Sequence, residues 1–393
     1  MSTMNNATRL LLNVGHAIDH MFLLIFATAV TRIAADFGIA RWEDLMPYSV
    51  AAFFFFGLGS LPAGKLGDQW GRRPMMVVFF VGMGVAALLV SAAQSPWQIA
   101  LALALLGCFA SIYHPVGIPM LVQGADRPGR TIGINGLAGN LGIAAAAVVT
   151  GFFVKHFGWR AAFAIPGVIS LICAVLFALH APREGQAPAR KKVSGQAPAG
   201  VSLVKLLAVM TLASTTGSLV FNFSTGANYE LLADRLKAVT ADPAQLGLLL
   251  AAVYVMASFT QLLVGTLLDR VVLKTLYLGV IALQALFIGL STLTEGWVFY
   301  LLQFLFMATI FGAVPFTDAM LVRYVDDSMR SRVAGMRLAV SLGASSVAIW
   351  LIGPVVKQAG FTTLLAVMAC ISLVTLTVVS QLPRTPRPAP HAA

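Results

Sequence analysis

The stretch Gly15-His16-Ala17-Ile18-Asp19-His20-Met21 sets two imidazoles and a carboxyl at positions i, i+3 and i+4. On a helix that spacing puts all three on one face. Groups of this kind can bind and pass a proton, because an imidazole titrates near neutral pH and a carboxyl taken out of water can be brought there. They are equally acceptable nitrogen and oxygen ligands for a divalent transition metal. A second stretch, Ser111-Ile112-Tyr113-His114-Pro115, adds a third histidine beside a proline, and Gly117 and Pro119 follow. Proline frees a backbone carbonyl and bends a helix beside a cavity. Any one of these histidines alone reads equally well as a hydrogen bond between helices. Four ionisable groups in two stretches, His16, Asp19, His20 and His114, read as a site.

Further polar residues fall late in the chain: Asn222, Asn228, Tyr229 and Glu230, then Asp318 and Arg337. Asn222 is expected to line a cavity and Glu230 to sit near enough to a surface to be solvated. Asp318 lies close in sequence to Arg323, and Arg337 to Arg332, so acid and base come at comparable depth. A buried Asp318–Arg337 pair is the economical reading. The alternative leaves Arg337 free for an anionic substrate.

These groups are notable because of what surrounds them. The chain has 393 residues, 59% apolar and only 10% charged, too little polar surface for a water-soluble fold of this size. Runs of about 20 apolar residues recur twelve times, near 10–32, 45–64, 75–94, 97–122, 131–154, 161–180, 205–229, 246–267, 274–293, 297–322, 333–355 and 361–381. In hydrocarbon, backbone groups must be satisfied within the segment, so each run is a predicted transmembrane helix. The first run is too long for the core of a cleavable signal and is expected to be the first span. Cys108, Cys173 and Cys370 each fall inside a run, without the paired spacing of zinc or disulfide sites.

A net charge of +11 could suggest nucleic acid, but the bases sit in short connections between spans, where they set topology. With a cytoplasmic amino terminus, 18 of the 26 Lys and Arg residues fall inside and 7 outside, with Arg337 in a span. Both termini are then cytoplasmic. Residues 181–204, rich in Pro, Gly, Ala and bases, read as a cytoplasmic linker between a bundle at 1–180 and another at 205–393. The halves repeat: Gly64-Lys65-Leu66-Gly67-Asp68 returns as Gly265-Thr266-Leu267-Leu268-Asp269, Pro115 as Pro315, Met120-Leu121-Val122 as Met320-Leu321-Val322, and Lys155 with Gly158 as Lys357 with Gly360. Two parallel six-helix repeats imply a transporter with its substrate near mid-membrane between the halves.

The densest charge, Gly64 to Pro74, carries a pattern. Gly64, Leu66, Asp68, Gly71, Arg72 and Arg73 match Gly-x-Leu-x-Asp-Arg-x-Gly-Arg-Lys/Arg, with Gln69 at the first arginine. On these residues the chain resembles the major facilitator superfamily. The resemblance implies twelve helices in two bundles and a gating role for Gly64, Asp68, Gly71, Arg72, Arg73 and the second-half Asp269. Asp68 is expected to meet a helix N-terminus or an arginine and hold the cytoplasmic side shut.

His114-Pro115, the helix-one His-x-x-Asp pattern and Gly139-Asn140-Leu141-Gly142 are similar to the fosmidomycin-resistance branch of that superfamily. That likeness implies export of a small organic molecule driven by protons, with His16, Asp19, His20 and His114 carrying the proton. Tyr113, Asn140 and Asn222 would help line the substrate site. Uptake of an organic anion guided by Arg337 is the runner-up, and metal transport through His16, Asp19, His20 and His114 is third. An enzyme is not expected: position 17 is Ala where a His-Glu-x-x-His protease needs Glu, and no nucleophile or phosphate-loop motif occurs. The expected partners are the bilayer, protons and a small molecule, without cofactor or nucleic acid. The expected unit is a monomer in a bacterial inner membrane.

Overall fold

In a computed structural model, residues 4–123, 128–182, 203–268, 270–324 and 327–383 are described. The expected linker lies almost wholly outside them, as does Asp269, and the side chains of Asp318 and Arg337 are likewise outside.

The first half runs α1 Asn6–Asp36, α2 Val50–Trp70, α3 Arg72–Ala92, α4 Pro96–Val122, α5 Pro128–His156 and α6 Trp159–His180. The second runs α7 Leu203–Arg235, α8 Pro243–Leu268, α9 Leu273–Ser291, α10 Gly296–Tyr324, and then one helical stretch, Asp327–Ser380. Among the described residues eleven stretches are long and apolar enough to cross a membrane. The last is broken at Gly360, whose φ of 75° and ψ of 174° no helix accommodates, so α11 occupies 327–359 and α12 361–380. Twelve spans result, as expected.

Several helices outrun their apolar windows, and α1 does so from a polar cap. Asn5 accepts from the Thr8 amide at 2.7 Å to start it. The expected second span begins later than its apolar run, since Trp42–Asp44 and Met46–Ser49 form tight 3-10 turns before α2. His-Pro has the local effect foreseen for it: α4 loosens into a π turn over Tyr113–Gly117 where Pro115 removes a donor.

Within the first half α1 packs on α5, and α3 on α6; within the second, α7 packs on α11 and α8 on α10. The halves meet along α5 with α8 and α2 with α11.

Candidate functional site

The four ionisable groups named from sequence come together. His16, His20 and His114 have ring centroids 4.8, 5.1 and 5.7 Å apart, taken pairwise. Asp19 is wholly buried, and its Oδ2 lies 3.6 Å from His114 Nδ1. That gap is too long for a hydrogen bond, and both Asp19 oxygens and His114 Nδ1 are without one.

The imidazole tautomers follow from their partners. His16 Nδ1 lies 2.7 Å from the Asn135 carbonyl oxygen, which can only accept, so Nδ1 carries the hydrogen. His16 Nε2 then offers a lone pair, and His20 Nε2–H donates to it at 3.1 Å. A donor chain thus runs from His20 through His16 into the backbone of α5. His114 and His20 are half-buried, so the cluster has an open side.

The bundle holds this cluster with small residues and one amide. A Cβ at Gly139 would lie 2.7 Å from His16 Cε1, and one at Gly142 would run into the backbone of Ala17. The pair Gly139 and Gly142 therefore lets α1 lie against α5 with the His16 ring between them. Asn135 donates to Tyr113 Oη at 2.7 Å and to Asn13 Oδ1 at 3.0 Å, and the Tyr113 hydroxyl donates to the Leu12 carbonyl at 2.7 Å. Tyr113 stacks on His16 with centroids 4.7 Å apart. It is fully buried, which corrects its expected place on the cavity wall: with both sides of its hydroxyl satisfied it is a support for His16. Asn135 was not singled out from sequence, although an amide within a span that must be satisfied was signal enough.

Across the chain, Asn140 hydrogen-bonds Gln261 of α8, joining the halves beside this site. Both are half-buried. Asn222 departs from its expected place on the cavity wall. It is buried and donates to the Ser218 carbonyl at 2.8 Å and to Ser345 Oγ at 2.9 Å, tying α7 to α11.

The charged motif after α2 is arranged differently from expectation. Gly64 and Gly67 seat α2 on the π turn, where added Cβ atoms would stand 3.4 Å from Pro115 Cβ and 2.8 Å from Val116 Cγ2. Gly71 makes the turn into α3 with φ 95°. Asp68, however, is exposed and has no hydrogen bond or ion pair among the described residues. The arginines explain this, for each turns back onto carbonyls left over at helix ends. Arg72 donates to the Pro119 carbonyl and to Gln123 Oε1, both at 3.0 Å, and Arg73 donates to the carbonyls of Ala181 at 3.0 Å and Ala178 at 2.6 Å.

At the opposite end, beside the 37–49 connection, the halves are shut by a device used twice. Gly151-x-x-x-Lys155-x-x-Gly158 ends α5, and Gly353-x-x-x-Lys357-x-x-Gly360 ends α11. In each copy the first glycine lies against backbone of the other half, Gly151 on Pro243 and Gly247, and Gly353 on Glu43. In each the lysine crosses to an aspartate, Lys155 to Asp242 and Lys357 to Asp44. In each the last glycine turns the chain at positive φ, 83° and 75°. Trp42 stacks on Phe361 at 6.0 Å over the seam. Among the described residues every ion pair joining the halves lies at this end.

The family model of the Major Facilitator Superfamily matches residues 12–233 and again 206–393. The chain belongs to the major facilitator superfamily. As a member it is a multi-pass membrane transporter of small molecules, not an enzyme. It is 24% identical over 298 residues to a protein of Salmonella arizonae named multidrug resistance protein MdtG, covering 74% of this chain and 73% of that one. It is 26% identical over 299 residues to the protein of that name from Salmonella typhimurium, with 74% and 73% covered. Among solved structures, the inward-open xylose transporter XylE from E. coli aligns over 96% of both chains with a TM-score of 0.78 at 13% identity. A bacterial homologue of the human lysosomal transporter Spinster, inward-facing and occupied, aligns over 95% of both with a TM-score of 0.76 at 12% identity. At such identities these structures establish the fold alone.

Proposed function

We propose that this transporter exports a small organic molecule in exchange for protons, and that Asp19 with His114 is the proton-carrying pair. The observation that carries this reading is a wholly buried carboxyl with no hydrogen bond, 3.6 Å from an imidazole that has an open side. Such a pair costs least when it holds one proton, and it can give that proton up through His114 when the cavity is wetted. His16 and His20 form the adjoining relay, with His16 held in one tautomer by Asn135. Asn140 and Gln261 stand where a substrate between the halves would separate them. The export direction draws on the name of the MdtG relatives and on the likeness to the fosmidomycin-resistance branch.

The excess of Lys and Arg on the amino-terminal side favours both termini in the cytoplasm of a bacterial inner membrane. The lysine clamps are then external, and the closed end is the outer one. A monomer contains every part of this site.

A screen of antibiotics, organic acids and divalent metals by thermal stabilisation of the purified protein identifies the substrate. Proteoliposomes loaded with a pH-sensitive dye then report whether that compound moves protons. Compound-dependent proton flux, absent in Asp19→Asn, is expected. Flux of compound with no proton movement would remove the coupling.

A second reading has its own observation: one nitrogen from each of His16, His20 and His114 lies within 4.8 Å of the others, as a metal site requires. Calorimetric titration with manganese, iron, cobalt and zinc decides it. Micromolar binding lost in His20→Ala would favour metal over protons.

A further inference from the structure

Glu230 of α7 is not used by the proton pair of α1 and α4, and its position is unusual. Its side chain is 8% exposed, and Oε1 has no hydrogen-bond partner. Thr31 of α1 stands within hydrogen-bonding reach of its carboxyl and Glu43 of the first 3-10 turn faces it, both from the other half; burial outweighs what Thr31 does for the charged form. The group is thus held between the halves, at the end that the two lysine clamps close.

No cation among the described residues is placed to balance it. Arg41 is committed to Glu43 at 2.7 Å. Lys357 is taken by Asp44 and Lys155 by Asp242. Arg235, on the same helix, lies 3.6 Å from Glu295 and donates to Thr362 at 2.7 Å. The one charge that bears on Glu230 from a neighbouring element is another acid, Glu43. Tyr229, beside it in sequence, contributes no charge as a neutral phenol. A carboxylate removed from water with no counter-ion is unfavourable, whereas the neutral acid fits such a seam.

We propose that Glu230 is a proton-binding site linked to the gate at the 37–49 end: closing the seam takes up one proton, and parting it returns that proton to the water entering there. The sign follows directly. The closed state holds the extra proton, so acid on that side favours closure and alkali favours opening. The Lys155–Asp242 clamp does not respond over the same range. The Lys155 hydrogen bond holds Asp242 below the usual carboxylate value of 3.8, so that pair stays charged until the pH falls beneath it. The inference does not depend on the role of Asp19, since it concerns the gate and not transport.

The test uses the full chain in nanodiscs with Cys108, Cys173 and Cys370 replaced and spin labels at Ala40 and Val239, exposed positions on opposite halves of this end. Pulsed dipolar distances are read from about pH 5 to about pH 9, where one linked proton moves the closed-to-open ratio by at most about tenfold per pH unit. The wild type should lose its short distance as pH rises, Glu230→Gln should keep it throughout, and Glu43→Gln should still respond. Glu230→Met, a second neutral replacement, should match Glu230→Gln and serves if the latter does not accumulate. A wild type indifferent to pH, or a response that survives in both neutral variants, overturns the proposal. So does a response abolished by Glu43→Gln alone.

Discussion

Lys155 and Lys357 hold equivalent places at the ends of α5 and α11, and each crosses to an aspartate of the opposite half. The duplication visible in sequence thus becomes a symmetric closure.

Exposed ion pairs contribute little, so Lys155→Ala with Lys357→Ala should shift the gate by no more than about a few fold per pair. Gly353→Leu should act more strongly, because its side chain would enter the backbone of Glu43. A cysteine at Leu45, fully buried in the closed seam, is the readout. Its labelling by a water-soluble thiol reagent should rise in all these variants, and unchanged labelling would mean that the clamps do not hold this end. In a Glu230→Gln background the contribution of the Lys155–Asp242 clamp, read as the difference in labelling from Lys155→Ala at each pH, should also be flat with pH above the ordinary carboxylate value of 3.8. Asp242 is held below that value by Lys155, so the pair's contribution is full above it and is lost only as pH falls through the lower one.

Gly139→Val should fold yet fail to transport. Its Cβ would occupy the place of the His16 ring, from 2.7 Å, and overpacking of this kind costs about 1–3 kcal/mol. Thermal unfolding should fall modestly while proton-linked flux disappears. A variant with full flux would show that the His16 position is not critical.

Much of this was legible in the sequence, and the failures share a cause. Apolar run length gave every span, and i, i+3, i+4 spacing gave the shared face of His16, Asp19 and His20, because both depend on local geometry. Tyr113 and Asn222 were misplaced because the direction of a polar side chain in a bundle depends on which carbonyl or hydroxyl a neighbouring helix presents. Glu230 was expected in water from its place near a helix end, and only the packing of α1 and the first 3-10 turn buries it. The Gly-x-x-x-Lys-x-x-Gly repeat was half seen: lysine and final glycine stood out, but the first glycine acquires meaning only from the backbone opposite.

Asp68 has no hydrogen bond or ion pair among the described residues, and the proposed gating role gives it a contact in the opposite state, when the other end closes. Asp68→Asn should accordingly slow turnover strongly and leave substrate affinity within a few fold. Lost binding at unchanged turnover would put Asp68 in the substrate site.

The proposed pairing of Asp318 with Arg337 has a simple cycle as its test. Removing one partner of a buried pair costs about 3–5 kcal/mol, so Asp318→Asn and Arg337→Gln should each lower folding yield, and the double variant should recover part of it. Additive losses would separate their roles and favour Arg337 as a substrate contact.

The central claim is that the Asp19–His114 pair carries the proton that drives transport. The most direct measurement compares wild type and Asp19→Asn in proteoliposomes under an imposed pH gradient, following the compound found by thermal stabilisation. The account predicts that Asp19→Asn binds the compound with affinity within a few fold and exchanges it downhill, but no longer accumulates it against its gradient. Uphill accumulation by Asp19→Asn equal to wild type would contradict the account.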